Sequence, residues 1–326
     1  MKFGVMFLWS SVAALTALTA LPAPAQEYPN KPIRVIVPVP PGSLSDTIVR
    51  RIGNEVSAVL GQPWINENRS GVNFIPGAET CRRAPGDGYT FCALPTTAIT
   101  MNPNLVDDLP YHPLRDFKAV INLGLYINGV VASPKLAIKD MAALKAYALA
   151  NPGKLNLGTY GPASTPNVFR HFLNERWKTD IAEVAYKGAN ELVAALMNGE
   201  LHVTFTALGN WVDNPGDSKG HILAQGSDPR STVFASVPNY REVGIGDFPI
   251  QSWLGFFTPA ETPDAIVTKM NDVIGKIIKD RKISDFLLAQ GIEPRVTSAQ
   301  VFSASIATEL DQTSDLVRKY KIPKIK

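Results

Sequence analysis

The sequence is poor in cysteine, in histidine and in charge. Its 326 residues include two cysteines and four histidines, and 19% of the residues are charged. With no CxxC or HExxH spacing, these residues do not form a recognisable set of zinc ligands. The net charge is +3, and no basic run is longer than two residues, so the chain lacks the basic stripe that binds a phosphate backbone. The sequence therefore predicts no metal site, no cofactor and no nucleic-acid partner.

Sequence signatures of nucleotide-dependent enzymes are also missing. The chain has no GxxxxGK[ST] phosphate loop and no GxGxxG after a predicted strand. No two histidines stand at ligand spacing, and His202 alternates with apolar neighbours, as expected of a structural residue. We therefore predict a protein without enzymatic activity. An exported hydrolase whose catalytic residues meet only in the fold is an alternative, because catalytic triads are defined by geometry and not by chain order.

Residues 1–25 differ from the rest of the chain. Lys2 is the only charged side chain there, and Ala23-Pro24-Ala25 forms an A-x-A site before Gln26. This pattern is typical of a cleaved secretory signal peptide, with a membrane anchor as the alternative. No later stretch reaches the ~18 consecutive apolar residues of a spanning helix. We expect a soluble mature protein that is exported to the periplasm.

The two cysteines, Cys81 and Cys92, have two possible states. In an oxidising compartment they form one disulfide that closes a short loop, or they remain two unrelated buried thiols. The choice depends on whether their Cα atoms come within ~7 Å, which the sequence does not specify. In both cases their role is structural and not catalytic.

Strand-like and helix-like segments alternate along the mature chain. The β-branched run 33–37 predicts a buried strand, and a turn-rich loop and a helix follow it, with Ser45 or Asp46 as the N-cap. The same order recurs after 89–94 and after 155–157, and the last third is rich in helix. Alternation of this kind predicts an α/β fold with mainly parallel sheets flanked by helices.

Three of the predicted strand–helix junctions carry loops rich in glycine, proline or hydroxyl side chains. Free N–H groups and the helix dipole make such a junction an anion site, although many are only helix caps. Ligands of open α/β sheets bind at the carboxyl ends of the strands, where all three loops are expected. The candidate ligand-binding residues are Gly42, Ser43, Leu44, Ser45, Asp46, Thr96, Thr97, Thr159, Tyr160, Gly161, Ser164 and Thr165.

Two aromatic residues outside these loops are also candidates. Tyr186, followed by Lys187 and Gly188, comes after a predicted strand, and it either presents a hydroxyl or ammonium to an anion or lies in a solvated loop. Trp253 either stacks on a ligand or packs at a junction between domains. Asp46, in the first of the three loops, also has two possible roles: it contacts the far end of a ligand, or it only caps its helix.

Several short segments resemble the substrate-binding receptors of tripartite tricarboxylate transporters, also called Bug receptors. They occur in the expected order and span nearly the whole mature chain. The segments are 28–34 (YPNKPIR), 37–42 (VPVPPG) with Asp46, 67–69 (ENR), 84–90 (APGDGYT), 152–156 (PGKLN), 186–188 (YKG), 237–238 (VP) and 253–255 (WLG).

This resemblance implies a two-domain periplasmic binding protein, similar to the type II Venus flytrap proteins, whose domains close on a small carboxylate in the cleft between them. Domain 1 would comprise residues 26–128 and 255–326, and domain 2 residues 129–254, with two strands crossing between them. The loops that hold the ligand in this family map onto residues 41–46 and 158–165. On this basis we expect a monomer that delivers a small organic acid to a membrane permease.

The chain departs from the family pattern at three places. Leu44 replaces a glycine of the usual PPGGGTD loop, Thr206 and Ala207 follow a strand where many relatives carry aspartate, and Asn167 replaces a histidine. These changes alter the shape of the pocket, and they remove the aspartate that would contact a cationic group of the ligand. They also make Thr206 a further candidate contact. A receptor for a neutral or aromatic solute, serving another transporter or a sensor kinase, is therefore the first alternative.

Overall fold

A computed structural model describes residues 28–211, 220–246 and 248–325. The predicted signal peptide lies outside these ranges. None of the helices within them combines the length and the apolar character that crossing a membrane requires.

Within the described ranges the chain forms two β-sheets. The strands are β1 (Ile33–Val37), β2 (Trp64–Asn68), β3 (Thr90–Pro95), β4 (Phe117–Tyr126), β5 (Asn128–Ala132), β6 (Asn156–Thr159), β7 (Ala182–Ala185), β8 (Val203–Ala207), β9 (His221–Gln225), β10 (Trp253–Pro259) and β11 (Ile292–Pro294). The strand order is β11-β4-β10-β3-β1-β2 in the first sheet and β7-β6-β8-β5-β9 in the second.

Helices flank both sheets. They are α1 (Leu44–Leu60), α2 (Ile75–Arg82), α3 (Asn102–Leu105), α4 (Pro113–Asp116), α5 (Met141–Ala150), α6 (Thr165–Trp177), α7 (Ala189–Asn198), α8 (Asp264–Lys279), α9 (Arg281–Ala289) and α10 (Ala299–Lys319). Single turns of 3₁₀-helix lie at Val72–Phe74 and Leu208–Trp211, and a wider turn of π-helix lies at Thr97–Met101. The predicted α/β class is confirmed.

Both sheets are mixed, so the prediction of mainly parallel sheets is wrong. Strands β1, β2 and β3 run parallel, but β10 is antiparallel to β3 and β4, and β11 is antiparallel to β4. In the second sheet β6 is parallel to β7 and β8, whereas β5 is antiparallel to β8 and β9. The antiparallel pairs all involve β5, β10 or β11.

The chain passes between the sheets twice. It leaves the first sheet after Tyr126 and enters the second at Asn128, and it returns between Gln225 and Trp253. Strand pairing places Asn128 opposite Ala207 in the second sheet, and Trp253 opposite Leu125 in the first. The predicted domain boundaries, after residues 128 and 254, lie within two residues of these crossings, and the division into domains stays a prediction.

Both faces of the first sheet are buried, as the continuous apolar run of β1 predicts. Val35 and Phe91 join the cluster under α1 and α8, whereas Ile36 and Cys92 face the opposite cluster under α2 and α10. The alternation follows from the two-residue period of a strand. It also brings Cys92 against Cys81 on α2, where their Cα atoms are 6.1 Å apart and a disulfide joins them.

Removing this disulfide tests its contribution to stability. The bond closes a loop with a sequence separation of 11 residues, and releasing a loop of that size costs about 3 kcal/mol of unfolding free energy. We expect the Cys81→Ala/Cys92→Ala variant to lose this amount in urea unfolding, and wild type in a thiol reductant to lose the same amount. A loss below about 1 kcal/mol in both would contradict the stabilising role.

Candidate ligand-binding cleft

A cavity of about 130 Å³ lies between the two sheets. Its lining includes the loop between β1 and α1, the residues that follow β3, and Tyr126 at the end of β4. On the opposite wall it includes Tyr160 after β6, Lys187 after β7 and Thr206 near the end of β8. All six of these strands contribute their carboxyl ends, so the cavity is where the general rule for α/β sheets places a ligand.

The structure brings eight of the sequence-predicted site residues together in this lining and leaves six outside it. The eight are Ser43, Leu44, Ser45, Thr96, Thr97, Tyr160, Thr165 and Thr206. The six outside are Gly42, Asp46, Thr159, Gly161, Ser164 and Tyr186. For all of them a role in ligand binding stays a prediction.

The first wall begins at the start of α1. Ser43 is the N-cap and Leu44 the first helical residue, so the helix begins two or three positions before the start predicted from Ser45 or Asp46 as the N-cap. The Ser43 hydroxyl donates to the carbonyl of Pro40 at 2.9 Å and does not cap the helix. The N–H groups of the first turn therefore donate no hydrogen bond to the N-cap side chain.

Asp46 holds this loop in shape from behind the cleft. Its carboxylate accepts hydrogen bonds from the Gly42 N–H (2.9 Å), Arg50 Nε (2.8 Å) and Asn68 Nδ2 (2.9 Å), and the residue is 1% exposed. Burial alone would raise the pKa of Asp46, but the hydrogen bonds from Arg50, Asn68 and Gly42 outweigh it, so its pKa lies below the ordinary value. Asp46 therefore stabilises the loop as an anion, in the manner of a capping carboxylate.

Two pairs of hydroxyl groups face the cavity, one on each wall. Ser45 Oγ and Tyr126 Oη are 2.7 Å apart, and Tyr160 Oη and Thr206 Oγ1 are 2.8 Å apart. Burial raises the pKa of both tyrosines, so both phenols remain protonated at neutral pH. Each pair has at least one hydroxyl proton free to rotate toward a ligand oxygen.

The loop of the second wall is held by its own side chains. Ser164 Oγ donates to the carbonyl of Gly161 (2.6 Å) and receives the Tyr160 N–H (3.3 Å). Thr159 Oγ1 donates to Glu183 (2.6 Å) and accepts the Gly161 N–H (3.1 Å). These contacts place Ser164 and Thr159 in support of the turn. Thr165, the first residue of α6, is the member of this loop whose hydroxyl lines the cavity without a partner among the described residues.

The electrostatics of the cleft favour an anion. Helices α1, α6 and α7 all begin in its lining; the N–H groups of α1 and α6 donate no hydrogen bond to the N-cap serine side chains, and the N-cap of α7 is Gly188. Among the residues that the structure describes, Lys187 is the only one in the lining with a charged side chain, and none of them in the lining is acidic. Helix N-termini and an ammonium group together provide N–H donors and positive potential for one negatively charged group.

Lys187 lies in the lining, although only its neighbour Tyr186 is among the predicted site residues. Tyr186 lies outside the lining, and its backbone N–H donates to the carbonyl of Thr159 in the second sheet. Side chains alternate along an extended strand, so adjacent residues at its end point in opposite directions. The end of β7 at Ala185 was therefore needed to decide between the two neighbours.

The two walls touch around the cavity. A Cβ added to Gly161 would lie 2.9 Å from Asn73 Oδ1 on the first-sheet side, and one added to Gly188 would lie 3.9 Å from Pro40 Cγ. Gly209 approaches so closely that an added Cβ would meet the carbonyl oxygen of Gln290 at 1.8 Å. The two walls are therefore in contact beside the cavity, which is bounded on both sides.

Trp253 packs in the first sheet and also lines the cavity. It is 1% exposed, its ring lies edge-on to Phe302 with centroids 5.0 Å apart, and its Nε1 donates to Glu309 at 2.6 Å. These contacts agree with the packing role weighed from the sequence.

Comparison with known proteins gives the family of this chain. The family model for the tripartite tricarboxylate transporter family receptor matches residues 48–322. BugT of Bordetella pertussis is 27% identical over 305 residues, which cover 93% of this chain and 94% of BugT. A solved structure described as a periplasmic transporter is 31% identical, with a TM-score of 0.86, covering 91% of this chain and 99% of that one. MatC from Rhodopseudomonas palustris, solved with bound malate, is 25% identical with a TM-score of 0.82, covering 89% and 100%.

Fold and cleft together define a solute-binding protein of the periplasmic type, with two α/β units and a cleft between them. More specifically, the chain belongs to the family of tripartite tricarboxylate transporter receptors. The resemblance drawn from the short sequence motifs is thereby confirmed.

Proposed function

We propose that this protein is an extracytoplasmic receptor that binds a small organic carboxylate in the cleft and delivers it to the membrane permease of a tripartite tricarboxylate transporter. The observation that carries the proposal is the cleft itself, where three helix N-termini and Lys187 meet and where no described residue of the lining is acidic. A carboxylate has the charge and the acceptor oxygens that such donors bind. The malate bound to MatC, a protein of the same fold, supports this ligand class.

The proposal includes where and how the protein works. Residues 1–25 direct export to the periplasm and are removed, and the mature chain acts as a monomer. The receptor binds and releases its ligand unchanged, without a catalytic step. Size-exclusion chromatography with light scattering tests the oligomeric state, and mass spectrometry of the exported protein tests cleavage before Gln26.

Thermal unfolding of the mature chain against a panel of carboxylates tests the ligand class. A ligand at ~100 times its Kd adds about 2.7 kcal/mol to the free energy of unfolding, which raises the melting temperature. We expect stabilisation by at least one carboxylate and none by the corresponding amide, because the amide lacks the negative charge. Stabilisation by neutral amides as strong as that by their acids would favour the alternative receptor for a neutral solute.

Thr165 provides a test of the second wall. Its hydroxyl lines the cavity at the N-terminus of α6, so we expect Thr165→Val, which keeps the shape of the side chain, to weaken carboxylate binding about tenfold. Calorimetric titration measures this change. Ser164→Ala is the matched control for an effect on the stability of the turn. The Ser164 hydroxyl supports the turn through the Gly161 carbonyl, and the residue is 0% exposed. Unchanged affinity in Thr165→Val would place the ligand elsewhere in the cleft.

A further inference from the structure

The turn Val72–Phe74 beside the cleft has a strained backbone. Asn73 (φ 53°) and Phe74 (φ 63°) are adjacent residues in the left-handed region. Glycine adopts this region freely and asparagine tolerates it, but a bulky side chain such as that of phenylalanine rarely does. Strain of this kind persists only where the surrounding structure imposes it, and it is concentrated at sites that hold a ligand. The turn is therefore a candidate functional element.

A buried hydrogen-bond network imposes the conformation of this turn. Asn102 Nδ2 donates to the Asn73 carbonyl at 2.8 Å and to Tyr111 Oη at 2.9 Å. Tyr111 Oη in turn donates to the Ala98 carbonyl at 2.6 Å, and Asn102 and Tyr111 are 0% and 4% exposed. The side chain of Asn73 has no hydrogen-bond partner among the described residues. The turn is therefore held by its surroundings and not by its own side chains.

The turn reaches from the first wall of the cleft to the second. Asn73 Oδ1 lies 2.9 Å, and Val72 Cγ1 3.8 Å, from the position of a Cβ added to Gly161. Gly161 belongs to the loop that leads into α6, where Thr165 lines the cavity. The turn therefore lies opposite the start of α6, and a carboxylate bound at that helix start would have the turn beside it.

Phe74 is the residue of this turn that lines the cavity. Its side chain is half-buried and packs against the core cluster that includes Ile36 and Leu94. A phenyl ring has no hydroxyl or amide group, so its contact with a ligand is made through apolar carbon. The free energy gained by such a contact grows with the apolar surface that is buried. Phe74 therefore favours ligands that place methylene groups or a ring against it.

We infer that Phe74 is a specificity-determining residue of the cleft, and that the strained turn Val72–Phe74 holds its ring against the carbon skeleton of the bound acid. The inference rests on the proposed carboxylate-receptor function and concerns the part of the ligand next to its acid group. Affinity then increases with the length of the apolar chain, whether the acid carries one carboxylate or two. The strain persists because the network around Asn102 keeps the ring in this position.

Calorimetric titration of the mature chain with two matched pairs of acids tests the inference. Hexanoate has two methylene groups more than butyrate, and adipate has two more than succinate. We expect the longer acid of each pair to bind wild type at least about tenfold more tightly. In Phe74→Ala we expect this ratio to fall below about threefold, because the added methylene groups lose the ring that they contact. Phe74→Leu, which keeps an apolar side chain, should retain most of the ratio.

Phe74→Gly separates the ligand contact from the backbone strain. Alanine and glycine both remove the ring, but glycine adopts the left-handed conformation without steric conflict. We expect Phe74→Gly to unfold at a higher urea concentration than Phe74→Ala, and to show the same low ratio between longer and shorter acids. Circular dichroism shows whether each variant is folded.

Lys178→Gly is the matched control for relief of strain. Lys178 also has a left-handed backbone (φ 57°), but it is exposed and lies at the far end of α6 from the cleft. We expect Lys178→Gly to unfold at a higher urea concentration than Lys178→Ala, and to bind all four acids within about twofold of wild type.

The possible failures are distinguishable. Equal losses of affinity for longer and shorter acids in Phe74→Ala would overturn the inference, and so would wild-type affinity for all four acids in this variant. A ratio below about threefold in wild type would also overturn it. A urea midpoint of Phe74→Ala at or above that of Phe74→Gly would overturn the strained turn as its basis.

The remaining outcomes separate the inference from the proposed function. If none of the four acids binds but another carboxylate stabilises the mature chain in thermal unfolding, the inference is overturned and the carboxylate receptor stands. If no carboxylate binds, the proposed function itself is overturned.

Discussion

Replacing Gly188 by leucine is expected to weaken carboxylate binding about 100-fold while the protein remains folded. Gly188 lines the cleft with an extended backbone (φ −171°), which any residue adopts, and the one atom within 4 Å of an added Cβ is Pro40 Cγ at 3.9 Å. A leucine side chain at this position extends into the ligand space and against the opposite wall. Overpacking an enclosed space costs about 1–3 kcal/mol, and 1.4 kcal/mol is a tenfold change in affinity.

Gly188→Ala is the matched control for this substitution. Its methyl group is expected at ordinary contact distance from Pro40, and it carries the same cost of about 1 kcal/mol for an apolar residue at the N-cap of α7. We expect its affinity to stay within about threefold of wild type. Calorimetric titration measures both affinities, and urea unfolding measures both stabilities. Wild-type affinity in Gly188→Leu would show that the ligand does not occupy this part of the cleft.

Replacing Asp46 by alanine is expected to lower the free energy of unfolding by about 2–3 kcal/mol and to weaken ligand binding. Asp46 is buried and connects Gly42, Arg50 and Asn68, so its removal leaves the Asn68 amide and the Gly42 N–H without their shared acceptor. Losing one partner of a buried network costs more than losing an exposed ion pair, and the partly exposed Arg50 keeps the cost toward the lower end. The loop from Pro40 to Leu44 then loses its support, which reduces affinity.

Asp264→Ala is the control for the stability effect. Asp264 also lies in the first turn of a helix and pairs with Lys118 at 2.6 Å, but its side chain is 89% exposed. We expect this variant to lose less than about 1 kcal/mol in urea unfolding, as exposed ion pairs do. Equal losses in the two variants would contradict a special role for the buried Asp46 network.

The contribution of Asp46 is expected to depend on pH in one direction. The pKa of Asp46 in the folded protein lies below its ordinary value, so the folded state favours the anion. Its contribution to stability is therefore fully present above the unfolded pKa of about 3.9 and is lost as the pH falls through the folded pKa. The difference in unfolding free energy between wild type and Asp46→Ala should be constant from pH 6 to 8. A difference that grows as the pH falls below 4 would contradict this sign.

Local sequence patterns predicted much of the fold. The β-branched run of β1 and its turn-rich loop predicted a strand and a helix, and Gly61 ends that helix in a left-handed conformation (φ +67°). The direction of β10 depends on pairing between segments far apart in the chain, which local periodicity does not encode. The mixed character of the sheets was therefore missed.

The candidate site was predicted in part, for a similar reason. The loops around Leu44 and Thr165 begin helices, and helix starts have local sequence signatures. Tyr126 reaches the cleft because β4 crosses between the sheets, and Phe74 because a turn of 3₁₀-helix brings it there. Neither residue has a local pattern that marks it as a contact, so the three-dimensional structure was needed to find them.

Calorimetric titration of wild type and Gly188→Leu with the same carboxylate tests most directly whether the cleft between the sheets is the ligand site. The carboxylate is the one that stabilises the mature chain most in thermal unfolding, and its amide serves as the uncharged reference. We predict saturable binding of one acid per chain to wild type, and a loss of about 100-fold in the variant. Equal affinity in the two proteins, or equal binding of acid and amide to wild type, would contradict the account.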